Sequence, residues 1–150
     1  MGETKEHSNM VEGMFNYVKK NFPYYLVSAD IQNRTGDEIP GLIGGYRPDL
    51  FAYYEKDGSH IIGEAKTSRD LESRHSIDQI KAFLNYLKTK NNSDFMLSVP
   101  YESADRAKVV LKFIREELDL KEIKIIVFDQ CDWWHFNGQS WAYKRGNHGI

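Results

Sequence analysis

The chain has 150 residues, which indicates one domain, large enough to bury roughly 68–70% of the surface of the unfolded chain. Hydrophobic residues make up 41% of the chain and charged residues 28%, which excludes the disordered, fibrous and membrane classes. Because 20 Lys and Arg face 22 Asp and Glu, the net charge is −2, and any binding site for a polyanion must be local.

The cysteine content and the apolar runs bear on the compartment. The single cysteine, Cys131, excludes an internal disulfide and a cysteine-rich zinc site. No apolar run approaches the length that crosses a bilayer, and the first residues lack the apolar segment of a signal peptide. We therefore expect a cytoplasmic protein with no membrane partner.

Hydrophobic periodicity divides the chain into helices and strands. Asn137-Gly138, between two aromatic-rich stretches, is a strong hairpin signal. In chain order the predicted elements are a helix at 5–22, a strand at 24–31, a loop at 32–47, strands at 50–54 and 60–67, a helix at 76–90, a strand at 93–99, a helix from the N-cap Ser103 to 118, a strand at 123–128, and a hairpin of 133–136 and 140–143.

The order of these elements predicts an α/β fold. Strand-helix-strand units require parallel crossovers, whereas the early turn at Lys56 to Ser59 gives an antiparallel pair. We therefore predict one mixed sheet with helices on both faces, in the order αβββαβαβ plus a C-terminal β-hairpin, as a single domain over residues 1–150.

Three charged residues on two neighbouring predicted strands carry the chemistry. Pro48-Asp49 opens one strand, and Glu64-Ala65-Lys66 lies near the end of the next. Because side chains alternate along a strand, Glu64 and Lys66 share a face, and Gly63 and Ala65 leave room for close packing on the other. If the two strands pair through their turn, Asp49 lies beside both, and one pocket holds two carboxylates and an ammonium.

Such a pocket favours a hard cation and a phosphate. Two close carboxylates repel each other unless a proton or a cation intervenes, and oxygen ligands without His or Cys favour Mg²⁺, Mn²⁺ or Ca²⁺ over Zn²⁺. None of the five histidines forms metal-ligand spacing with another His or Cys, so we interpret them as ordinary; they are His7, His60, His75, His135 and His148. A metal beside Lys66 indicates phosphodiester hydrolysis.

The pattern Pro48-Asp49, then Glu64-Ala65-Lys66 after fourteen intervening residues, resembles the PD-(D/E)xK nuclease superfamily, the restriction-endonuclease-like group that includes Holliday-junction resolvases and phage and defence nucleases. The resemblance covers about residues 5–99 and implies a restriction-endonuclease-like core. It implies metal ligation by Asp49, Glu64 and the backbone carbonyl of Ala65, with Lys66 in the catalytic role. Two supporting positions match as well: Glu12 on the first helix and Gln79 on the helix after Lys66.

These residues also have simpler interpretations. Glu64 and Lys66 could form a surface ion pair, Asp49 could occupy a turn, and Glu12 could be solvated at the margin of its helix. Ser76 to Gln79 is also a capping-box pattern, in which Gln79 would bond back to Ser76. Other carboxylates lie in polar, loop-like stretches and are expected to be solvated: Asp37, Glu38, Asp70 and Glu72.

Basic and aromatic residues bear on the partner. Single basic residues near the predicted pocket could contact phosphates: Arg47, Arg69 and Arg74, and on the following helix Lys81 and Lys88. The aromatic residues of the terminal hairpin could stack on bases or line a dimer contact, and packing over the core is favoured; they are Trp133, Trp134, Phe136, Trp141 and Tyr143.

The sequence therefore predicts a metal-dependent deoxyribonuclease, an endonuclease that uses Mg²⁺, with Mn²⁺ as a substitute. The expected partners are DNA and, because one pocket cuts one strand per visit, a second copy of the chain in a homodimer or higher homo-oligomer. The alternative is a catalytically inactive DNA- or protein-binding module with the same fold. An acyl or glycosyl hydrolase is disfavoured, because Lys66 lies two residues after Glu64 and no nucleophile elbow occurs.

Overall fold

The computed structural model describes residues 4–120, 122–131, 133–136 and 141–144, the side chains of 142–144 excepted. Thr4 caps the first helix by accepting a hydrogen bond from the His7 N–H. The helices are α1 (Lys5–Asn21), α2 (Arg74–Lys88) and α3 (Ala104–Glu117). The strands are β1 (Leu26–Ala29), β2 (Leu50–Tyr54), β3 (Ser59–Ala65), β4 (Ser93–Ser98), β5 (Lys124–Phe128), β6 (Trp133–Phe136) and β7 (Trp141–Lys144).

The described strands form one mixed sheet of seven in sequence order, β1 to β7. Strands β3, β4 and β5 are parallel to one another, and the remaining neighbours pair antiparallel. The antiparallel register places Leu50 opposite Gly63. Asp49, which precedes β2, therefore lies opposite Glu64, which follows Gly63. The predicted α/β class, the element order and the mixed sheet are confirmed.

Helices cover both faces of the sheet, because each has one apolar stripe to bury. Helix α1 lies on one face, where Val11, Met14 and Val18 are fully buried against β2, β3 and β4. Helices α2 and α3 lie on the opposite face over a core that includes Phe83 and Leu111. Strand β3 is buried from Ile61 to Ala65, which is the environment expected of a central strand.

Several element boundaries differ from those predicted. Strand β1 begins at Leu26, because the chain turns after α1 and the Tyr25 N–H donates to the Phe22 carbonyl. The long loop at 32–47 contains a short 3₁₀ turn, Gly36–Glu38, and a tight β-bridge between Ile43 and Tyr46, but no strand. Helix α2 begins two residues before the predicted start and ends at Lys88, and α3 starts at Ala104 without a side-chain bond from its cap.

The terminal hairpin packs on the core, as favoured from sequence. Trp133 is buried and stacks between Tyr17 and Phe128, at ring-centroid distances of 3.9 and 4.0 Å. Phe136 is also buried, and the ammonium of Lys108 lies over the Trp134 ring. The turn at 137–140 and the side chain of Tyr143 lie outside the described residues. In the part of the chain that is described, no helix combines the length and the hydropathy that a bilayer crossing requires.

Close packing of α1 on β3 depends on Gly63. A Cβ atom there would lie 3.1 Å from Met14 Sδ and 3.2 Å from Leu50 Cβ, which is tighter than ordinary van der Waals contact. We expect Gly63→Val to lower the free energy of unfolding by about 1–3 kcal/mol, measured by urea denaturation. Gly41→Val is the control, because a Cβ at Gly41 meets no atom within 4 Å. Equal stability of the two variants would contradict this account of the packing.

Candidate active site

The β2–β3 pairing brings Asp49 and Glu64 together. The backbone N–H of Asp49 donates to Glu64 Oε1 at 3.1 Å, and the N–H of Ala65 donates to Asp49 Oδ2 at 2.8 Å. Each carboxylate thus accepts a hydrogen bond from a backbone N–H of the segment that carries the other carboxylate. Asp49 is 7% exposed and Glu64 2%, so Asp49 does not occupy a solvated turn.

Lys66 completes the cluster at the end of β3. Its Nζ lies 3.0 Å from Glu64 Oε2 and also donates to the Gln79 side-chain oxygen. Because Lys66 is 8% exposed and Glu64 still less, the interpretation as a surface ion pair is wrong. Two of the three ammonium protons are used within the described residues, and the third is available to a water or a phosphate oxygen.

Gln79 belongs to this cluster and not to a helix cap. The N-cap of α2 is Ser73, whose hydroxyl accepts a hydrogen bond from the Ser76 N–H. Ser76 therefore lies inside the first turn, where it is buried, and the capping-box interpretation is wrong. One turn further along, Gln79 extends from α2 to the Lys66 ammonium.

The cluster has more negative than positive charge. The pKa of Glu64 is raised well above its ordinary value, first because the carboxyl is buried and second because Asp49 lies beside it, while Lys66 acts in the opposite direction. Two carboxylates and one ammonium leave the pocket one positive charge short. A proton or a cation bound between the carboxylates would restore the balance.

His7, which sequence reasoning treated as ordinary, reaches the site from α1. Its Nε2 lies 3.2 Å from Asp49 Oδ2, and about a fifth of its side chain is exposed. His7 precedes the buried residues Val11, Met14 and Val18 by 4, 7 and 11 positions, so it continues their stripe. That phase is the sequence signal that could have identified it.

Glu12 is not brought into the cluster. It follows His7 by five positions, about 140° around the helix, and is exposed. No hydrogen bond or ion pair among the described residues joins it to the other members. The alternative carboxylates are exposed as well, and three have local partners: Glu38 with Arg34, Asp70 with Thr67, and Glu72 with Arg106.

The basic residues that were predicted to contact phosphates differ in their surroundings. Arg47, two residues before Asp49, donates to the carbonyl of Pro40, and the exposed Arg74 lies 3.5 Å from Asp78. Arg69 is exposed, follows Lys66 by three residues and has no ion pair within the described residues, which leaves it the least engaged of the three. The predicted lysines lie toward α3: Lys81 pairs with Glu117, and Lys88 donates to the Leu118 carbonyl.

The loop that leaves Lys66 is anchored to the start of α3. The Ser68 hydroxyl lies 2.6 Å from the Ser103 hydroxyl, and Arg106 donates to the Ser68 carbonyl at 2.8 Å. Ser103 is the N-cap of α3, as predicted, but its hydroxyl contacts this loop and makes no capping hydrogen bond. The backbone on both sides of Lys66 is therefore fixed, since the Lys66 N–H also donates to the Ser98 carbonyl.

The donor set suits a hard cation that keeps much of its water. Among the described residues, no group of three or more His, Cys, Asp or Glu is arranged to hold a metal ion. Asp49 and Glu64 supply two carboxylates, and no hydrogen bond within the described residues reaches Asp49 Oδ1. Mg²⁺ commonly takes only one or two protein carboxylates and completes its shell with water and substrate phosphate, so these residues fit it.

Comparison of the chain with protein-family models, with curated proteins and with solved structures found no match in any of the three. The functional assignment therefore depends on the geometry of the cluster formed by Asp49, Glu64, Lys66, Gln79 and His7.

Proposed function

We propose that this protein is a Mg²⁺-dependent endonuclease that hydrolyses phosphodiester bonds of DNA, with a PD-(D/E)xK active site on a restriction-endonuclease-like core. The observation that carries the proposal is the buried network in which Glu64 accepts from Lys66 while Lys66 also donates to Gln79. Charges are rarely buried together without a function, because desolvation is costly. The mixed sheet, with helix, three strands, helix and strand in that order, supports the same class.

Asp49 and Glu64 would hold the cation, together with the backbone carbonyl of Ala65, and Mn²⁺ is the expected substitute for Mg²⁺. A bound divalent cation supplies positive charge at the phosphate and makes a bound water more acidic. The residues themselves position the groups that react. Gln79 and Glu64 orient the Lys66 ammonium, and its remaining N–H donates to the attacking water or to a phosphate oxygen.

Hydrolysis at this site adds water to one phosphorus atom and breaks one bond from phosphorus to a sugar oxygen. One site therefore cuts one strand per encounter. Cutting both strands of a duplex at defined positions requires two sites, for which a homodimer is the simplest arrangement.

The test is incubation of the protein with linear, supercoiled and four-way-junction DNA, each with Mg²⁺ or with EDTA. We expect cleavage with Mg²⁺ and with Mn²⁺, and none with EDTA. Relaxation of supercoiled DNA before linear product appears would indicate single-strand cuts. DNA that remains intact on every substrate with both metals would reject the proposal and favour a binding module. A matched single-stranded RNA distinguishes a deoxyribonuclease from a ribonuclease.

We expect His7→Ala to weaken the enzyme without abolishing it. His7 contacts Asp49, so its loss leaves a ligating carboxylate less well oriented. The Mg²⁺ concentration for half-maximal cleavage should rise about 10- to 100-fold, as is typical for outer partners of metal ligands. His60→Ala is the control, because His60 stacks on Tyr53 and bonds to the Gly58 carbonyl, away from the cluster. An unchanged Mg²⁺ dependence in His7→Ala would remove His7 from the site.

A further inference from the structure

The segment that follows β4 presents an exposed aromatic side chain. Tyr101 opens the short 3₁₀ turn Tyr101–Ser103 and is 68% exposed. No hydrogen bond, ion pair or ring contact among the described residues involves its side chain. The Ser103 N–H donates to the Pro100 carbonyl at 2.9 Å, which fixes the backbone that carries the ring. The ring is therefore attached to ordered backbone and is open to solvent.

Tyr101 lies at the edge of the sheet that carries the candidate active site. Strands β3 and β4 are parallel neighbours, so their carboxyl ends meet at the same edge; Lys66 follows β3, and Tyr101 follows β4. The Lys66 N–H donates to the Ser98 carbonyl at 2.9 Å. Tyr101 follows Ser98 by three residues, which span at most about 11 Å of chain. The ring is therefore near enough to Lys66 to contact a nucleotide next to the reacting phosphate.

A side-chain contact joins the loop after Lys66 to the turn that carries Tyr101. The Ser68 hydroxyl lies 3.4 Å from Glu102 Oε1 and 2.6 Å from the Ser103 hydroxyl. Arg69 directly follows Ser68, is exposed and has no ion pair within the described residues. Because Tyr101 directly precedes Glu102, the guanidinium and the ring both leave the chain next to this contact. A cation that can hold a phosphate thus adjoins a ring that can stack on a base.

The charges around the contact do not favour a duplex. The carboxylates of Asp70 and Glu102 are exposed beside it, and Arg106 is paired with Glu72. Sequence-independent binding of a duplex draws its affinity from the neutralisation of many phosphates, for which a chain of net charge −2 is poorly suited. Stacking of an unpaired base on an aromatic ring gives affinity without an excess of positive charge.

We infer that an unpaired base next to the reacting phosphate stacks on Tyr101, and that the substrate is therefore single-stranded DNA, as a free strand or as the unpaired end of a duplex. The inference rests on the proposed nuclease function and names its substrate class. Arg69 holds the adjoining phosphate. Within a duplex both faces of each base are stacked on its neighbours, so no face is available to the ring. Tyr101 binds substrate and takes no part in breaking the bond.

The test compares a labelled single strand with the duplex of the same sequence, by fluorescence anisotropy in EDTA and by initial rates of cleavage with Mg²⁺. We expect the single strand to bind more tightly and to be cut with a lower KM. Tyr101→Ala should weaken single-strand binding about 5- to 150-fold, as for loss of one base–aromatic stack, and should raise KM without lowering kcat. Tyr101→Phe should behave as the wild type, because it keeps the ring.

Tyr24→Ala is the matched control. Tyr24 is 79% exposed and precedes β1, whose first residue, Leu26, pairs with Tyr53 at the opposite edge of the sheet from Asp49. Its removal should leave single-strand binding unchanged. Arg69→Gln separates the phosphate contact from the base contact: it should make the dependence of log affinity on log salt shallower by about 0.7. Tyr101→Ala should lower the affinity at every salt concentration with the slope unchanged.

A protein that binds and cuts the duplex as well as the single strand would overturn the inference. So would equal effects of Tyr101→Ala and Tyr24→Ala. The substituted side chains are exposed, and thermal unfolding verifies that each variant is folded. Cleavage of the duplex at the same rate as the single strand would reject this substrate class and leave the nuclease proposal standing. Tyr101-dependent binding of the single strand without cleavage of any DNA would reject the nuclease and retain the stacking contact.

Discussion

Lys66→Ala is expected to reduce Mg²⁺-dependent cleavage by about 10²–10³-fold, the effect of removing one preorganised donor from a developing negative charge. Lys66 carries the one ammonium of the cluster, and its position is set by Glu64 and Gln79. Lys66→Arg should fail to restore full activity, because a planar guanidinium cannot replace a compact ammonium between these two acceptors. Initial rates on supercoiled DNA at saturating Mg²⁺ measure the effect.

Lys88→Ala is the matched control for this experiment. Lys88 is the last residue of α2, and its ammonium donates to the Leu118 carbonyl, away from the cluster. Its activity should equal that of the wild type. Lys66→Met, which keeps most of the side-chain volume, separates loss of charge from loss of packing. Activity of Lys66→Ala above about a tenth of the wild-type rate is incompatible with a catalytic role for the ammonium.

Glu64→Gln is expected to abolish cleavage and at the same time to stabilise the fold at neutral pH. The amide cannot ionise, so the cost of a buried charge beside Asp49 is removed, and the free energy of unfolding should rise by about 1–2 kcal/mol, within the range of single stabilising substitutions. Mg²⁺ should raise the melting temperature of the wild type and have little effect on Glu64→Gln. The second readout does not depend on turnover.

The pH dependence of stability follows from the raised pKa of Glu64. The pKa of Glu64 is higher in the folded protein than in the unfolded chain, so between these two values the folded state binds more protons. Protonation of Glu64 therefore stabilises the fold fully at a pH below the pKa of this group in the unfolded chain. The stabilisation is lost as the pH rises through its pKa in the folded protein. Urea denaturation over this range, without metal, should show a shallower decline for Glu64→Gln. Parallel curves for the two proteins would show that Glu64 titrates normally.

The sequence was sufficient to predict the meeting of Asp49 and Glu64, because a short turn fixes the register of two antiparallel strands. The position of Gln79 depended on where α2 begins. Ser73 and Ser76 are both good N-caps, and helix caps differ by only about 1 kcal/mol, so local sequence does not decide between them. The buried environment of Ser76 decides, and it depends on the tertiary structure.

His7 and Glu12 illustrate a second limit. A carboxylate on the first helix was the expected partner of the site, but the angle at which a helix crosses a sheet depends on packing, here on Met14 against Gly63. That contact turns the stripe containing His7 toward Asp49 and leaves Glu12 in solvent.

The network around Lys66 is confined to the first 79 residues of the chain, from His7 to Gln79. Helix α3 and strands β5 to β7 add no side chain to it among the described residues; they act as a scaffold behind β4. In the proposed nuclease, the side chains that react would therefore come from one part of the chain, while α3 holds the loop after Lys66 through Ser103 and Arg106. Exchange of strands β5 to β7 could then redirect such an enzyme to another target without replacing a reacting side chain.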